Sequence, residues 1–189
     1  MEPVRDVQLI AITGAGEEGC RLARVAALAG CAVRLHEPHP AALERAQEVI
    51  RAAIDGGLRA GRLGPADRQR ALDGILVTTD LEEAVTHADL VVEATDATPE
   101  QRRALFMRLG DACRASALVA TVAGDPDDLI DYLPQPGRLI GLRLPEGETP
   151  RLEVVAGIET SPHALGGARR LARRLGRDVV VVGHGEEVA

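Results

Sequence analysis

A glycine-rich turn lies near the start of the chain, and it constrains the fold more than any other feature. An apolar run covers residues 7–12, the turn carries Gly14, Gly16 and Gly19, and apolar residues then recur at helical spacing over 22–29. Gly14 permits a tight turn, Gly16 allows backbone to approach a pyrophosphate, and Gly19 allows the helix to pack close to the strand. This order therefore predicts a strand, a turn and a helix whose N-terminus binds a dinucleotide.

An acidic residue follows at the distance that such a site requires. A second apolar run, 32–35, leads to Glu37, about 20 residues beyond the glycines. The Glu37 carboxylate is expected to bind the two hydroxyls of a ribose and to repel a 2′-phosphate. The sequence therefore favours NAD as the cofactor over NADP.

Two further carboxylates, Glu17 and Glu18, occupy the variable positions of the glycine turn. One interpretation is that they stabilise the first turn of the helix through its dipole, with both side chains turned to water. The other is that one carboxylate lies near the pyrophosphate and weakens NAD binding by repulsion. The sequence leaves both interpretations open, and both residues are candidates for the cofactor site.

Short runs rich in Val, Ile and Leu alternate with helical patterns along the chain. The predicted strands cover residues 7–12, 32–36, 75–78, 89–93, 117–121, 138–142, 152–156 and 179–182. The predicted helices cover 17–29, 40–57, 65–72, 80–86, 99–113 and 161–175. Continuous apolar runs suit strands that are buried on both faces. The chain is predicted to be α/β, a single domain over 1–189 with a Rossmann-type, doubly wound, mostly parallel sheet and helices on both faces.

Charge and composition exclude several classes of partner. A net charge of −7 opposes binding to nucleic acid, because phosphates require a basic surface. No apolar run approaches the roughly 20 residues of a membrane span, and no charged leader precedes the first strand, so a cytoplasmic protein is expected. His36 and His39 flank Glu37 at a strand end, where neighbouring side chains point in alternating directions. No metal site is therefore predicted.

Short motifs beyond the glycine turn extend in order over nearly the whole chain. They cover residues 25–30, 42–46, 78–84, 88–94, 103–106, 118–121, 138–142, 152–155 and 159–162. Together with the turn, they resemble the N-terminal, NAD-binding domain of the 3-hydroxyacyl-CoA dehydrogenase family. The resemblance implies NAD as the cofactor, an acyl-CoA ligand and a role in fatty acid metabolism. It also implies that Ala94 and Arg102 belong to the cofactor site.

The residues that carry the family's chemistry differ from the pattern. The resemblance implies a histidine after the sixth strand, which acts as general base, and a glutamate in the next strand that pairs with it. Here Arg143 occupies the histidine position, while Glu153 matches the glutamate. A guanidinium stays protonated and cannot accept a proton. Arg143 is expected either to pair with Glu153 or to hold a carboxylate or phosphate in the cleft.

Two functional hypotheses follow. The resemblance implies a helical C-terminal domain that completes the substrate cleft and makes most of the dimer contact, and this domain is expected to be absent from the chain. The first hypothesis is an NAD(H)-binding domain that lacks the dehydrogenase activity on its own and self-associates through the surface that such a domain would cover. The second is an active NAD-dependent oxidoreductase of the same family, completed by a partner subunit.

Overall fold

Strands and helices alternate in the computed structural model, which describes residues 7–145, 150–183 and 186–188. The strands are β1 (Leu9–Thr13), β2 (Ala32–His36), β3 (Ile75–Thr78), β4 (Leu90–Glu93), β5 (Leu118–Thr121), β6 (Leu139–Arg143), β7 (Arg151–Val155), β8 (Asp178–Gly183) and β9 (Glu186–Val188). The α-helices are α1 (Glu17–Leu28), α2 (Pro40–Arg59), α3 (Pro65–Asp73), α4 (Leu81–Val85), α5 (Pro99–Ala112) and α6 (Pro162–Arg174). Two 3₁₀ helices cover Pro126–Tyr132 and Pro136–Arg138.

The strands of the described residues form one sheet in the order β3-β2-β1-β4-β5-β6-β7-β8-β9. Strands β1 to β6 pair in parallel, β7 is antiparallel to β6 and parallel to β8, and β9 is antiparallel to β8. The chain leaves the centre of the sheet in one direction through β2 and β3 and in the other through β4 to β6, which is the doubly wound topology. The predicted fold class is confirmed, whereas β9 and both 3₁₀ helices were not predicted.

The helices begin where the sequence supplies caps. Asp80 precedes α4, and its carboxylate accepts hydrogen bonds from the backbone N–H groups of Glu82 and Glu83. Thr98 precedes α5 and forms a capping box with Gln101. Such caps satisfy N–H groups that have no partner within the helix. They explain why α4 begins one residue after the predicted start, at Leu81.

The core lies on both faces of the sheet. One face packs against α1, α2 and α6, where Leu22, Ile50 and Leu171 are buried against the strands. The other face packs against α4, α5 and the first 3₁₀ helix, where Phe106 is fully buried. Aliphatic side chains therefore supply most of the buried apolar area that stabilises the fold.

Parallel strands bring the ends of β1, β2 and β4 to one edge of the sheet. The Gly14 N–H donates to the His36 carbonyl at 2.9 Å, and the Ala94 N–H donates to the Thr13 carbonyl at 2.8 Å. These bonds extend the ladder past the last residues of the strands and join the three loops that follow. The carboxyl edge at the point where the strand order reverses is where ligands bind in such sheets.

Candidate functional site

The turn after β1 can be built only with glycine at two positions. Gly14 has a φ of +101°, and a Cβ there would lie 2.4 Å from the Ala94 carbonyl oxygen. A Cβ on Gly19 would lie 1.9 Å from the Gly14 carbonyl oxygen. Gly16 is the N-cap of α1, and the nearest atom to its Cβ position among the described residues beyond its chain neighbours is 3.6 Å away. The turn is thus tightly packed on its inner side and open at Gly16, where backbone N–H groups can face an anion.

A cavity of about 740 Å³ lies over this turn. It continues from the glycines into the groove between α1 and α2, and its volume falls in the range of small-molecule sites. Residues of the strand ends and of the turn that line it include Gly14, Gly16, Glu17, Glu37, Ala94 and Asp96. Most of the predicted cofactor residues therefore meet in one cavity.

The two acidic residues of the turn differ in position. Glu17 lines the cavity, whereas the Glu18 carboxylate receives two hydrogen bonds from Arg21, with Nη2 at 2.5 Å from Oε1 and Nε at 2.9 Å from Oε2. This ion pair joins neighbouring turns of α1 and reduces the charge that Glu18 presents. Only one of the two predicted carboxylates thus faces the space above the glycines.

Glu37 stands at the end of β2 with its carboxylate already oriented. Its Oε2 accepts from the Ala15 N–H at 3.4 Å, and its Oε1 lies 2.8 Å from Nδ1 of the exposed His39. Burial would raise the pKa of Glu37, but the hydrogen bonds from His39 and Ala15 outweigh this effect and leave the pKa below its usual value. Glu37 is therefore a carboxylate that can accept hydrogen bonds from ribose hydroxyls.

Asp96, in the loop after β4, was not predicted as a site residue. Its Oδ2 is the neighbour that lies 3.6 Å from the Cβ position of Gly16. The sequence carries no pattern that indicates this position, because Asp96 is an exposed residue in a loop. Asp96 follows Ala94 by two residues, just beyond the end of β4. This position alone could have suggested that Asp96 reaches the same edge of the sheet.

Arg102 points elsewhere than the prediction requires. Its Nε lies 3.3 Å from Oε2 of the fully buried Glu93, as an ion pair without a hydrogen bond, and its Nη2 donates to the Ala97 carbonyl at 3.2 Å. Glu93 also accepts from the Thr95 N–H at 3.0 Å and lies 2.7 Å from Thr121 Oγ1. Arg102 therefore joins α5 to the end of β4 and does not line the nucleotide cavity.

The two predicted chemistry residues face each other across the β6–β7 pair. Arg143 and Glu153 are directly opposite in the antiparallel register, with Arg143 exposed and Glu153 half-buried. Within the part of the chain that the structure describes, no ion pair or hydrogen bond joins their side chains. Pairing between them, one of the two expectations for Arg143, is thus not seen.

The residues around the cavity fit a dinucleotide. The open backbone at Gly16 can receive a pyrophosphate, and Glu37 stands where a ribose would lie. Residues 7–145 and 150–183 contain no group of three or more His, Cys, Asp or Glu side chains arranged to hold a metal ion. In the same ranges, no helix has the length and apolarity that crossing a membrane requires.

Comparison with known proteins identifies the family. The family model described as 3-hydroxyacyl-CoA dehydrogenase, NAD binding domain, matches residues 9–185. The chain belongs to this family. It is 30% identical over 164 residues to the 3-hydroxyadipyl-CoA dehydrogenase of Escherichia coli strain K12, a match that covers 85% of this chain and 34% of that protein. It is 26% identical over 181 residues to a probable 3-hydroxybutyryl-CoA dehydrogenase of Bacillus subtilis strain 168, covering 94% of this chain and 63% of that protein.

Solved structures agree with this assignment. The crystal structure of 3-hydroxybutyryl-CoA dehydrogenase from Escherichia coli K12 superimposes with a TM-score of 0.89 at 29% identity. That match covers 95% of this chain and 39% of the other. The chain thus spans roughly one third to two thirds of the length of these relatives. It corresponds to their NAD-binding domain, and NAD is the cofactor of this domain family.

Proposed function

We propose that this domain binds NAD(H) and does not catalyse 3-hydroxyacyl-CoA dehydrogenation on its own. The observation that supports the proposal is Arg143, the last residue of β6, which the family resemblance matches to the general-base histidine. Gly14 and Gly16 would hold the pyrophosphate, and Glu37 would hold the adenosine ribose. NAD, when bound, supplies the acceptor for a hydride.

Oxidation of a hydroxyl group releases a proton as well as a hydride, so a base must stand beside the hydroxyl. Arg143 cannot take that proton, because a guanidinium remains charged at every pH at which the protein is folded. Glu153 is opposite Arg143 on the neighbouring strand, and the family resemblance gives it the role of orienting the base rather than of accepting the proton itself. Loss of a general base typically lowers the rate by about 10² to 10⁴.

Two measurements test the proposal. NADH binding is followed by the fluorescence of the nucleotide, and oxidation of a 3-hydroxyacyl-CoA is followed by the appearance of NADH. We expect NADH to bind and no turnover to be detected, and we expect Arg143→His to restore measurable turnover because it supplies an imidazole opposite Glu153. Turnover by the unmodified chain alone would contradict the proposal.

A second candidate is an active oxidoreductase that a partner subunit completes. The half-buried Glu153 favours it, because this carboxylate remains opposite the position of the family base. On this hypothesis, turnover appears when a chain that supplies the remaining groups is added, and Glu153→Gln abolishes it. If the mixture stays inactive with every 3-hydroxyacyl-CoA tried, this candidate fails.

A further inference from the structure

We propose that Asp96 determines the dinucleotide affinity of this domain by placing a negative charge where the pyrophosphate binds. The inference rests on the proposed binding of NAD(H). Asp96 belongs neither to the glycine turn nor to the end of β2 that carries Glu37, so neither motif gives it a role. The Asp96 carboxylate lies in the site before any ligand binds. The pyrophosphate of a dinucleotide therefore binds against the repulsion of this negative charge.

The position of the carboxylate is the first support. Oδ2 of Asp96 lies 3.6 Å from the Cβ position of Gly16. Gly16 is the N-cap of α1, a helix of 12 residues, and both Gly16 and the first helical residue, Glu17, line the cavity. Pyrophosphate oxygens bind at such a helix end because N–H groups and the helix dipole favour negative charge there. The Asp96 carboxylate and a pyrophosphate would therefore share the same few ångströms.

The loop that carries Asp96 is held from both sides. The Ala94 N–H donates to the Thr13 carbonyl at 2.8 Å, and the Thr95 N–H donates to the buried Glu93 at 3.0 Å. On the other side of Asp96, the Ala97 carbonyl accepts from Arg102 at 3.2 Å. Because the flanking residues are bonded to a strand and a helix, the backbone keeps Asp96 at the mouth of the turn.

The charge of Asp96 is not neutralised by its neighbours. Among the residues that the structure describes, none forms an ion pair with Asp96. Glu17 adds a second negative charge in the same cavity, and Arg21 is already paired with Glu18. Arg24 and Arg45 also line the cavity, Arg24 with its backbone roughly 12 Å beyond Gly16 along α1 at 1.5 Å per residue, and Arg45 on α2. Asp96 and Glu17 thus bring two carboxylates to the turn, and among the described residues neither carboxylate has an ion-pair partner.

The expected effect is a gain of affinity when the charge is removed. At about 6 Å, a carboxylate and a phosphate repel each other enough to change affinity by up to about 100-fold at an effective dielectric near 20. Asp96 is exposed, so solvent screens part of this repulsion, and we expect about a tenfold gain. Adenosine carries no phosphate, so its affinity should not change.

The experiment measures NADH and adenosine binding by calorimetry at low salt. Asp96→Asn and Asp96→Ser remove the charge, Asp96→Glu keeps it, and Glu44→Gln removes an exposed charge of α2 outside the cavity. We expect the first two variants to bind NADH about tenfold more tightly, with the gain reduced at high salt, and the other two to bind as the unmodified chain does.

Each other outcome is decisive. If all variants bind NADH with equal affinity, Asp96 does not set the affinity, while the proposed function stands. If adenosine gains as much as NADH, the effect of Asp96 is steric and the electrostatic inference is overturned. If neither the unmodified chain nor any variant binds NADH, the proposed function itself fails, and this inference fails with it.

Discussion

Removal of the buried charge of Glu93 should destabilise the domain more than any other single loss of a carboxylate at the site. Glu93 ends β4 and is fully buried, and its two oxygens contact Thr95, Thr121 and Arg102. These contacts join the ends of β4 and β5 to α5. Glu93→Gln retains the shape of the side chain but leaves the Arg102 guanidinium, 17% exposed, without its counter-charge.

The magnitude follows from the cost of an unpaired buried charge. Removing one partner of a buried ion pair typically costs about 3 to 5 kcal/mol. The lower end applies here, because Arg102 Nε and Glu93 Oε2 are 3.3 Å apart without a hydrogen bond and Arg102 is partly accessible to water. A loss of about 3 kcal/mol is a large part of the roughly 5 to 15 kcal/mol that stabilises a domain. It corresponds to a fall in Tm of about 6 to 12 °C for a chain of this size.

Urea denaturation followed by circular dichroism measures this loss. The slope of the free energy of unfolding against urea should not change, so the midpoint alone reports the difference. Glu44→Gln is the matched control, because Glu44 is exposed and its replacement should change the free energy of unfolding by less than about 0.5 kcal/mol. Arg102→Met and the double variant complete a cycle that isolates the pair.

The cycle also shows whether the Glu93–Arg102 ion pair accounts for this loss of stability. Most of the cost of Glu93→Gln should disappear when Arg102 is replaced too, because no unpaired charge then remains. If Glu93→Gln costs less than about 1 kcal/mol, or if the two replacements are additive, the ion pair does not stabilise this edge of the sheet. The loop after β4 would then have to be held by its backbone hydrogen bonds alone.

Three further predictions concern single side chains. Burial lowers the pKa of His36 from its ordinary 6.5, so the unfolded chain binds the proton more tightly than the folded chain does. The free energy of unfolding should therefore fall as the pH drops below about 6.5. Urea titrations should show that His36→Gln removes this dependence on pH. Asp89→Asn should lower the free energy of unfolding by about 1 to 2 kcal/mol in the same assay, because Asp89 accepts hydrogen bonds from the Gln8 and Leu9 N–H groups at 2.9 Å and pairs with Arg114. An unchanged urea midpoint would contradict this. Glu37→Ala should weaken NADH binding about 10- to 100-fold and raise the affinity for NADPH relative to NADH, and an unchanged ratio would exclude Glu37 from ribose recognition.

The sequence was sufficient for the parts of the fold that depend on local patterns. Gly14 and Gly19 could be recognised because the turn geometry excludes a Cβ at both positions: a Cβ on Gly14 would overlap the Ala94 carbonyl oxygen, and one on Gly19 would overlap the Gly14 carbonyl oxygen. The apolar runs identified β1 to β8 because strands buried on both faces have few polar residues. Strand β9 is short and pairs only at the edge of the sheet, so its sequence carries no such run.

Contacts between distant loops could not be predicted. Asp96 and Gly16 are 80 residues apart in the chain, and only the pairing of β1 with β4 brings them together. The sequence does indicate that Glu93 needs a partner, because it is an acidic residue within an apolar run and buried charges require a partner. The choice of Arg102 as that partner depends on how α5 packs, which periodicity does not determine.

The positions of the two halves of the site imply that binding and chemistry can be altered separately. The proposed cofactor residues follow β1, β2 and β4, whereas Arg143 and Glu153 lie on β6 and β7. Strand β6 is two strand spacings from β4, roughly 10 Å, and neither Arg143 nor Glu153 lines the nucleotide cavity. Arg143→His should therefore change NADH affinity by less than about twofold even where it restores turnover. A large change in NADH affinity would instead mean that Arg143 contacts the bound nucleotide, and its side chain would then belong to the binding site.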